Sequence, residues 1–352
     1  DSDNTTDDDL CGVFELSQGY GEFSFNSNQN SGIYNISGGG YHLATDVHWG
    51  LEETYDFYLN ILGQKSYDGD GAPILSWVNP NLYPDWNTNN AFASHFTIEG
   101  RVFDFMCYGL GDGSNMNPVV TIDVIAHEFT HMVTNYSADL IYQGESGALN
   151  ESFSDIFGTC VEVFTKGTEA NWTIGEGVMV TSPFMRSMSD PNYTEDPATY
   201  KGNYWINVEN IDNDYGGVHS NNGVMNYWFY LLTQGGSGVN DNSDSYNIQG
   251  IGIEKAAQIA YRTLTVYLTE NSDFLDAYNS SLQAAEDLYG ENSQEWWSVK
   301  NAWYAVGVIT TDPNLYCSGQ TKLTDVSGTI SDGSGSANYM SNSECEWLIV
   351  PP

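Results

Sequence analysis

Two histidines four residues apart, His127 and His131, lie in a segment whose apolar residues Ile122, Ile125, Phe129, Met132, Val133 and Tyr136 recur at helical spacing. A step of four returns nearly to the same helical face, so a helix over 122–136 carries both imidazoles side by side. Two such rings can grip one small cation. Glu128, one residue on from His127, leans over the open coordination position, where it can handle a proton. A catalytic zinc needs a third protein ligand and keeps one position for water. The next helical segment offers that ligand. Ala148, Leu149, Phe153, Ile156, Phe157, Cys160 and Phe164 mark its apolar face, and Lys166-Gly167 closes it. Glu151 follows His131 at a distance that lets one helix turn back beside the other. Asp155 is one turn beyond Glu151 and can accept a hydrogen bond from a ligand imidazole. Two His and one Glu around zinc make a hydrolase site.

The rest of the chain frames this pair. Val47, Leu51, Tyr55, Tyr58 and Leu62 predict a helix from Asp46 to about residue 62. Residues 11–45 and 63–120 read as short strands and turns, with turn clusters at Asp68-Gly69-Asp70-Gly71 and Gly111-Asp112-Gly113. Further helices are expected over about 223–233, 253–268, 274–289 and 294–306. The boundary between the two lobes is expected near residue 137, with the 122–136 helix bridging the halves. After Val308 the composition turns to Ser, Gly, Asp, Asn and Thr, a separate module too short to be stable without a staple.

Charge narrows the partners. With 47 acidic residues against 9 Lys and Arg, a net charge of −38, the chain lacks the basic footprint that nucleic acid or an anionic membrane requires. Its 40% apolar and 14% aromatic content is ample for a core, which opposes disorder. No apolar stretch is long enough to span a bilayer. The chain opens Asp1-Ser2-Asp3 without Met or a signal-like segment and reads as a processed product. Among five cysteines, Cys317 and Cys345 suggest a disulfide in the polar tail, Cys11 and Cys107 could pair, and Cys160 reads as a buried free thiol. These features favour an extracellular address.

The combination His127-Glu128-x-x-His131, then Gly147-Ala148-Leu149-Asn150-Glu151-x-x-x-Asp155, resembles the thermolysin-like neutral metalloproteases. The likeness runs on through Arg186-Ser187-Met188-Ser189-Asp190-Pro191, Gly216-Gly217-Val218-His219 and Ala305-Val306-Gly307-Val308, and covers roughly residues 46–310. The resemblance implies zinc ligands His127, His131 and Glu151, with Glu128 as general base and Asp155 orienting a ligand histidine. It implies that Tyr142 and His219 hydrogen-bond the oxyanion, that Asp214 fixes His219, and that Arg186 holds a substrate carbonyl. Only three Arg occur in the chain, which makes one in the matching segment unlike filler. Asn90-Ala91 matches the edge strand that binds extended peptide. The stretch from Phe92 to Tyr108 is longer than the family pattern and lacks its usual Trp. Val124, Ile174, Val178 and Met185 fall at primary-pocket positions and imply a preference for Leu- or Phe-like residues on the amine side of the cut.

A structural calcium is also implied, held by Asp123, Glu162 and Glu176. Asn171 and Thr173 of the same cage stand where acidic residues would be, so one calcium is expected and the adjoining second is not. The strand-rich part before the first helix is far shorter than in the type member. The tail from Cys317 to Trp347 resembles the opening of a CUB-type β-sandwich. Together these features predict an α+β, two-lobed zinc metalloprotease: a strand-rich lobe over 1–136, a helical lobe over 137–311 and a partial CUB-like tail over 312–352. The expected activity is that of a secreted, monomeric zinc endopeptidase acting on proteins or peptides. The alternative is a non-proteolytic, zinc-binding adhesion module that uses the tail.

Overall fold

The computed structural model describes residues 11–15, 43–78, 88–98, 101–313, 320–323 and 346–349. Its first part is a four-stranded sheet of β1 (Cys11–Glu15), β2 (Ile74–Val78), β3 (Ala91–Ile98) and β4 (Arg101–Tyr108), in the order β1-β2-β4-β3. β1, β2 and β4 run parallel, and β3 returns antiparallel to β4 in unbroken register from Ala91 opposite Tyr108 to Ile98 opposite Arg101. The long stretch from Phe92 to Tyr108 is therefore a regular hairpin. Its aromatic residues explain the regularity: Phe92, Phe96, Phe103 and Phe105 share one face with Trp77, with the Trp77 and Phe105 rings 4.4 Å apart. Among the described residues β3 is the edge of the sheet, with no further strand paired to its outer side.

Helix α1 (Leu43–Phe57) buries Val47, Leu51 and Tyr55 as its periodicity predicts, and a π turn over Tyr58–Leu62 ends at Gly63, whose φ of 74° suits glycine. The centre of the molecule is the pair α2 (Ile122–Asn135) and α3 (Gly144–Lys166). Both are covered on nearly every side, and their apolar faces enter one continuous core. Gly158 permits the close crossing: a Cβ there would lie 2.6 Å from the Asp123 carbonyl oxygen. This approach sets the distance between the histidines of α2 and the carboxylates of α3.

The remaining described residues are mainly helical. The short strands β5 (Thr173–Ile174) and β6 (Arg186–Ser187) pair beside the central helices, followed by α4 (Asp214–Asn221) and α5 (Gly223–Gln234). A hairpin of β7 (Gly235–Val239) and β8 (Ser245–Gln249) leads to α6 (Ile253–Arg262), α7 (Phe274–Tyr289) and α8 (Gln294–Ala305). Asp273 and Asp276 form a capping box at the start of α7, and Ser293 caps α8. Trp228 of α5 stacks on Trp303 of α8 at 4.8 Å, and both are fully buried. All the helices expected from periodicity are present. α4 was not anticipated, because it opens with four residues at positive φ rather than an apolar repeat.

Two cysteine readings are answered. Cys160 is buried and free, as expected. Cys107 is also buried and free, so the bridge to Cys11 is not formed. β2 lies between their strands, with Cys11 level with Ile74 and Cys107 level with Trp77. Two strand spacings, roughly 9.5 Å, exceed the Cα separation a disulfide spans. The tail contributes β9 (Gln320–Leu323) and β10 (Glu346–Ile349), paired in parallel. Cys317, Cys345 and most of the CUB-like pattern lie outside the described residues.

Because the central crossing has no room for a methyl group, Gly158→Ala should destabilise the protein by about 1–3 kcal/mol. Denaturant unfolding of variant and wild type under identical conditions measures this, and equal midpoints would show that the helices are not held this close.

Candidate active site and metal centre

His127 and His131 project from the buried middle of α2, and Glu151 projects from α3 opposite them. The two Nε2 atoms are 3.0 Å apart, and each lies 3.4 Å from a different oxygen of Glu151. Their outer nitrogens are both occupied: His127 Nδ1 meets Asp155 Oδ1 at 2.8 Å, and His131 Nδ1 meets Asn150 Oδ1 at 2.7 Å. Both partners are acceptors. Each neutral ring therefore carries its hydrogen on Nδ1 and aims its Nε2 lone pair inward. Two lone pairs and a carboxylate that is 1% exposed thus face one point, and Glu151 Oε2 is buried without a hydrogen-bond partner. No neutral arrangement satisfies them, whereas a cation does.

The donor set fits zinc in particular. Nitrogens bound at about 2.05 Å in a tetrahedron would sit roughly 3.3 Å apart, close to the spacing already present. Among the described residues, these three form the one group of His, Cys or acidic side chains whose ligand atoms all lie within 4.8 Å of one another. Electrostatics agrees. Burial alone would disfavour a cationic His127, yet Glu151 and Asp155 outweigh it and push its pKa up to about 10. The field that would hold a proton there also draws a metal ion.

Glu128 is 6% exposed and lines the cleft beside the two imidazoles. Burial pushes its carboxyl above the usual range, against the pull of His127 and His131. Tyr142 donates to Glu151 Oε1, and His219 Nε2 lies 3.0 Å from the same hydroxyl. Desolvation, with the Glu151 charge beside it, drives Tyr142 far up, so it remains a donor. Asp214 accepts from both the His219 ring at 2.6 Å and its backbone N–H at 2.8 Å. Arg186 does not stand alone: its Nε and Nη2 donate to the two oxygens of Asp155, at 2.8 and 2.7 Å.

The cleft holds about 560 Å³ and is lined on one side by Asn90, Ala91, Phe92 and His95 of the edge strand and its approach. Val124, Met185 and Arg186 also line it. Ile174 and Val178 are fully buried in the apolar core shared with Val124 rather than lining the cleft itself. Away from the cleft, Asp123, Glu162 and Glu176 come together where α2 and α3 meet the β5 region. Burial first, then the Glu176 charge, raises Asp123, and burial with Asp123 nearby raises Glu162. One oxygen of Glu162 has no hydrogen-bond partner, and the other accepts from Lys166 at 2.7 Å. Thr173 hydrogen-bonds both Asn171 and Glu176. Oxygen donors in a mutually repelling group are the chemistry a hard cation such as calcium takes, although these acids do not bring three ligand atoms within 4.8 Å of one another as the zinc group does.

Several functional partners escaped the sequence reading. Asn150 holds the second histidine, and Asn222 and Asn226 donate to Asp155 at 2.9 and 2.8 Å. An asparagine directly before Glu151 in the interior of an apolar helix was a usable signal, since Asn is a poor helix former. Asn222, the residue capping α5, and Asn226 are four residues apart, but nothing local shows that they face Asp155. Phe92, His95 and Tyr215 also line the cleft.

Comparison with known proteins points to one family. A model described as thermolysin metallopeptidase, catalytic domain, matches residues 4–135, and one described as thermolysin metallopeptidase, alpha-helical domain, matches residues 138–308. Over 269 residues the chain is 43% identical to the thermostable neutral protease NprT of Geobacillus stearothermophilus and to a thermolysin of Alicyclobacillus acidocaldarius subsp. acidocaldarius. Those alignments cover 75% of this chain and 45% of each relative, so the chain spans less than half their length. Among solved structures, the precursor of protealysin, a metalloproteinase from Serratia proteamaculans, superposes with a TM-score of 0.63 at 29% identity, covering 85% of this chain and 87% of that one. No helix among the described residues is long and apolar enough to cross a membrane.

Asp155 carries the most partners in this site, joining His127, Arg186, Asn222 and Asn226. Asp155→Asn keeps its shape but removes the charge, and should weaken zinc affinity by about 10- to 100-fold. Competition with a chelator of known affinity reads this directly, and wild-type affinity would show that the carboxylate does not hold the ligand in place.

Proposed function

This chain belongs to the thermolysin metallopeptidase family, and from that premise we propose that it is a secreted zinc endopeptidase hydrolysing peptide bonds within proteins. The observation that carries the reading is the convergence of His127 Nε2, His131 Nε2 and the Glu151 carboxylate on one point of an open cleft, with Glu128 beside them. His127, His131 and Glu151 are assigned to zinc, which when bound supplies Lewis-acid polarisation of the scissile carbonyl and of the attacking water.

The chain's own groups do the rest. Glu128 takes the proton released by the attacking water and later gives it to the leaving amine, a double role suited to a carboxyl raised by burial. Tyr142 and His219 place two donors next to the point where negative charge develops on the carbonyl oxygen. Against burial, the Glu151 charge and the Nδ1–H bond to Asp214 favour the cationic His219 ring, so Nε2–H is a second donor while Asp214 fixes its orientation. Arg186, held by Asp155 through Nε and Nη2, is assigned to a substrate carbonyl through its outer Nη1 edge. The open edge of β3, beginning at Asn90-Ala91, aligns an extended peptide by adding a strand. Val124 and Met185, backed by Ile174 and Val178, favour an apolar residue on the amine side of the cut.

Calcium is assigned to Asp123, Glu162 and Glu176 with Asn171 and Thr173, where it clamps α2 to α3 from the side away from the cleft. Lys166 on Glu162 supplies a fixed positive charge at the edge of that cage, consistent with a single ion. The division at residues 136, 137 and 311, the extracellular address and the monomeric state rest on the sequence. So does a binding role for the CUB-like tail. A purely adhesive protein needs no general base, and the buried Glu128 beside the assembled ligands favours the enzyme.

Glu128→Gln tests the mechanism. Cleavage of casein should fall by about 10²- to 10⁴-fold while the zinc content stays at one per chain, and undiminished cleavage would overturn the assignment. Removing calcium selectively should leave zinc bound but sharply shorten the half-life at elevated temperature. An unchanged half-life would count against the clamp.

A further inference from the structure

α4 opens with four consecutive residues at positive φ: Asp214 at 53°, Tyr215 at 51°, Gly216 at 88° and Gly217 at 81°. Three of them have a visible reason. A Cβ on Gly216 would come within 2.5 Å of the Val208 carbonyl oxygen, and one on Gly217 within 2.6 Å of the Ile206 side chain. Asp214 accepts the two hydrogen bonds from His219. Tyr215 has no such reason. It is a bulky residue in a conformation that glycine or asparagine adopts at less cost, and it is 60% exposed, so its ring contributes little to the core.

What the ring does face is the cleft. Tyr215 lines it beside Tyr142, with the ring centroids 5.8 Å apart in an edge-to-face arrangement. Tyr142 in turn stands 6.1 Å from the His131 ring and bonds Glu151. The other ligand histidine leads the opposite way, through Asp155 to Arg186 and the neighbouring Met185. The two sides of the metal point are thus chemically distinct. A peptide laid across it with its amine-side residue towards Val124 and Met185 sends its carbonyl-side residue towards Tyr142 and Tyr215. Phe92 lines the cleft from the β3 side.

We propose that Tyr215 is a specificity-determining residue, forming with Tyr142 an aromatic corner that receives a large apolar side chain on the carbonyl side of the cut. The inference deepens the endopeptidase reading and rests on it. Its strained backbone fixes the ring at the lip of the cleft, and its exposure leaves a face free to meet substrate.

The test uses the full chain with zinc and calcium, and peptides that differ only in the carbonyl-side residue, Phe or Gly, before a constant Leu. Wild type should show a kcat/KM ratio favouring Phe. Tyr215→Ala should lower that ratio by roughly three- to tenfold, with the loss concentrated on the Phe peptide. Tyr215→Phe should keep the wild-type ratio, because it keeps the ring. If the Ala variant does not fold, Tyr215→Gly replaces it, since glycine takes this φ freely. An unchanged ratio in the Ala or Gly variant, an equal loss on both peptides, or a Phe variant as impaired as Ala would overturn the proposal. Failure of the underlying reading looks different: wild type would then cut neither casein nor either peptide, and the proposal would fall with it.

Discussion

Buried negative charge on the contact between α2 and α3 sets the terms for the rest of the molecule. Glu151 and Asp155 lie on the cleft side, and Asp123 and Glu162 on the other, each with at most 1% of its surface exposed. An unneutralised buried carboxylate costs several kcal/mol, so each must be met by a cation, by hydrogen-bond donors or by a proton. Asp155 is met within the chain, by Arg186, His127 and the amides of Asn222 and Asn226. Its carboxyl accordingly sits far below the usual range, the Arg186 charge overcoming desolvation. Glu151 and Glu162 each keep an oxygen with no hydrogen-bond partner among the described residues. The two proposed metal sites fall at these two places, and ions bound there would be structural as well as chemical partners of the fold.

The same contact explains why the functional groups are so well held. The ligands sit on two long helices at a crossing that Gly158 keeps close, and each ligand histidine is pinned through its outer nitrogen. The groups assigned to the substrate are placed differently. Tyr142, His219 and Tyr215 stand on one lip near the run of left-handed residues that opens α4, and the open strand β3 forms the other. Rigid helices fix the reacting centre while irregular backbone shapes what approaches it.

Local periodicity carried most of what the sequence disclosed. A four-residue histidine step and an apolar repeat define α2, and the same logic places Glu151 and Asp155 on one face of α3, because helical geometry depends only on neighbours in the chain. Long-range partners were invisible for the opposite reason. That Asn222 and Asn226 reach Asp155, or that Tyr215 turns towards Tyr142, depends on how separate elements dock. The hairpin of β3 and β4 was read only as irregular strand because apolar residues on its second face, Ala93, Val102, Met106 and Tyr108, blur the alternation set by the aromatic face. Cys107 shows the limit from another side: its chemistry permitted a bridge, and only strand order ruled it out. Most of the 47 acids were legible as coat rather than site, since so few Lys and Arg are available to pair with them.

The claim on which all of this depends is that one metal ion ties α2 to α3 through three named side chains. Anomalous diffraction recorded on both sides of the zinc absorption edge, from crystals of the purified protein, addresses it most directly. The predicted result is a single zinc peak per chain, within about 2.0–2.2 Å of His127 Nε2, His131 Nε2 and a Glu151 oxygen. A chain that is proteolytically active yet has no zinc peak there, or has its zinc on other side chains, would contradict the account.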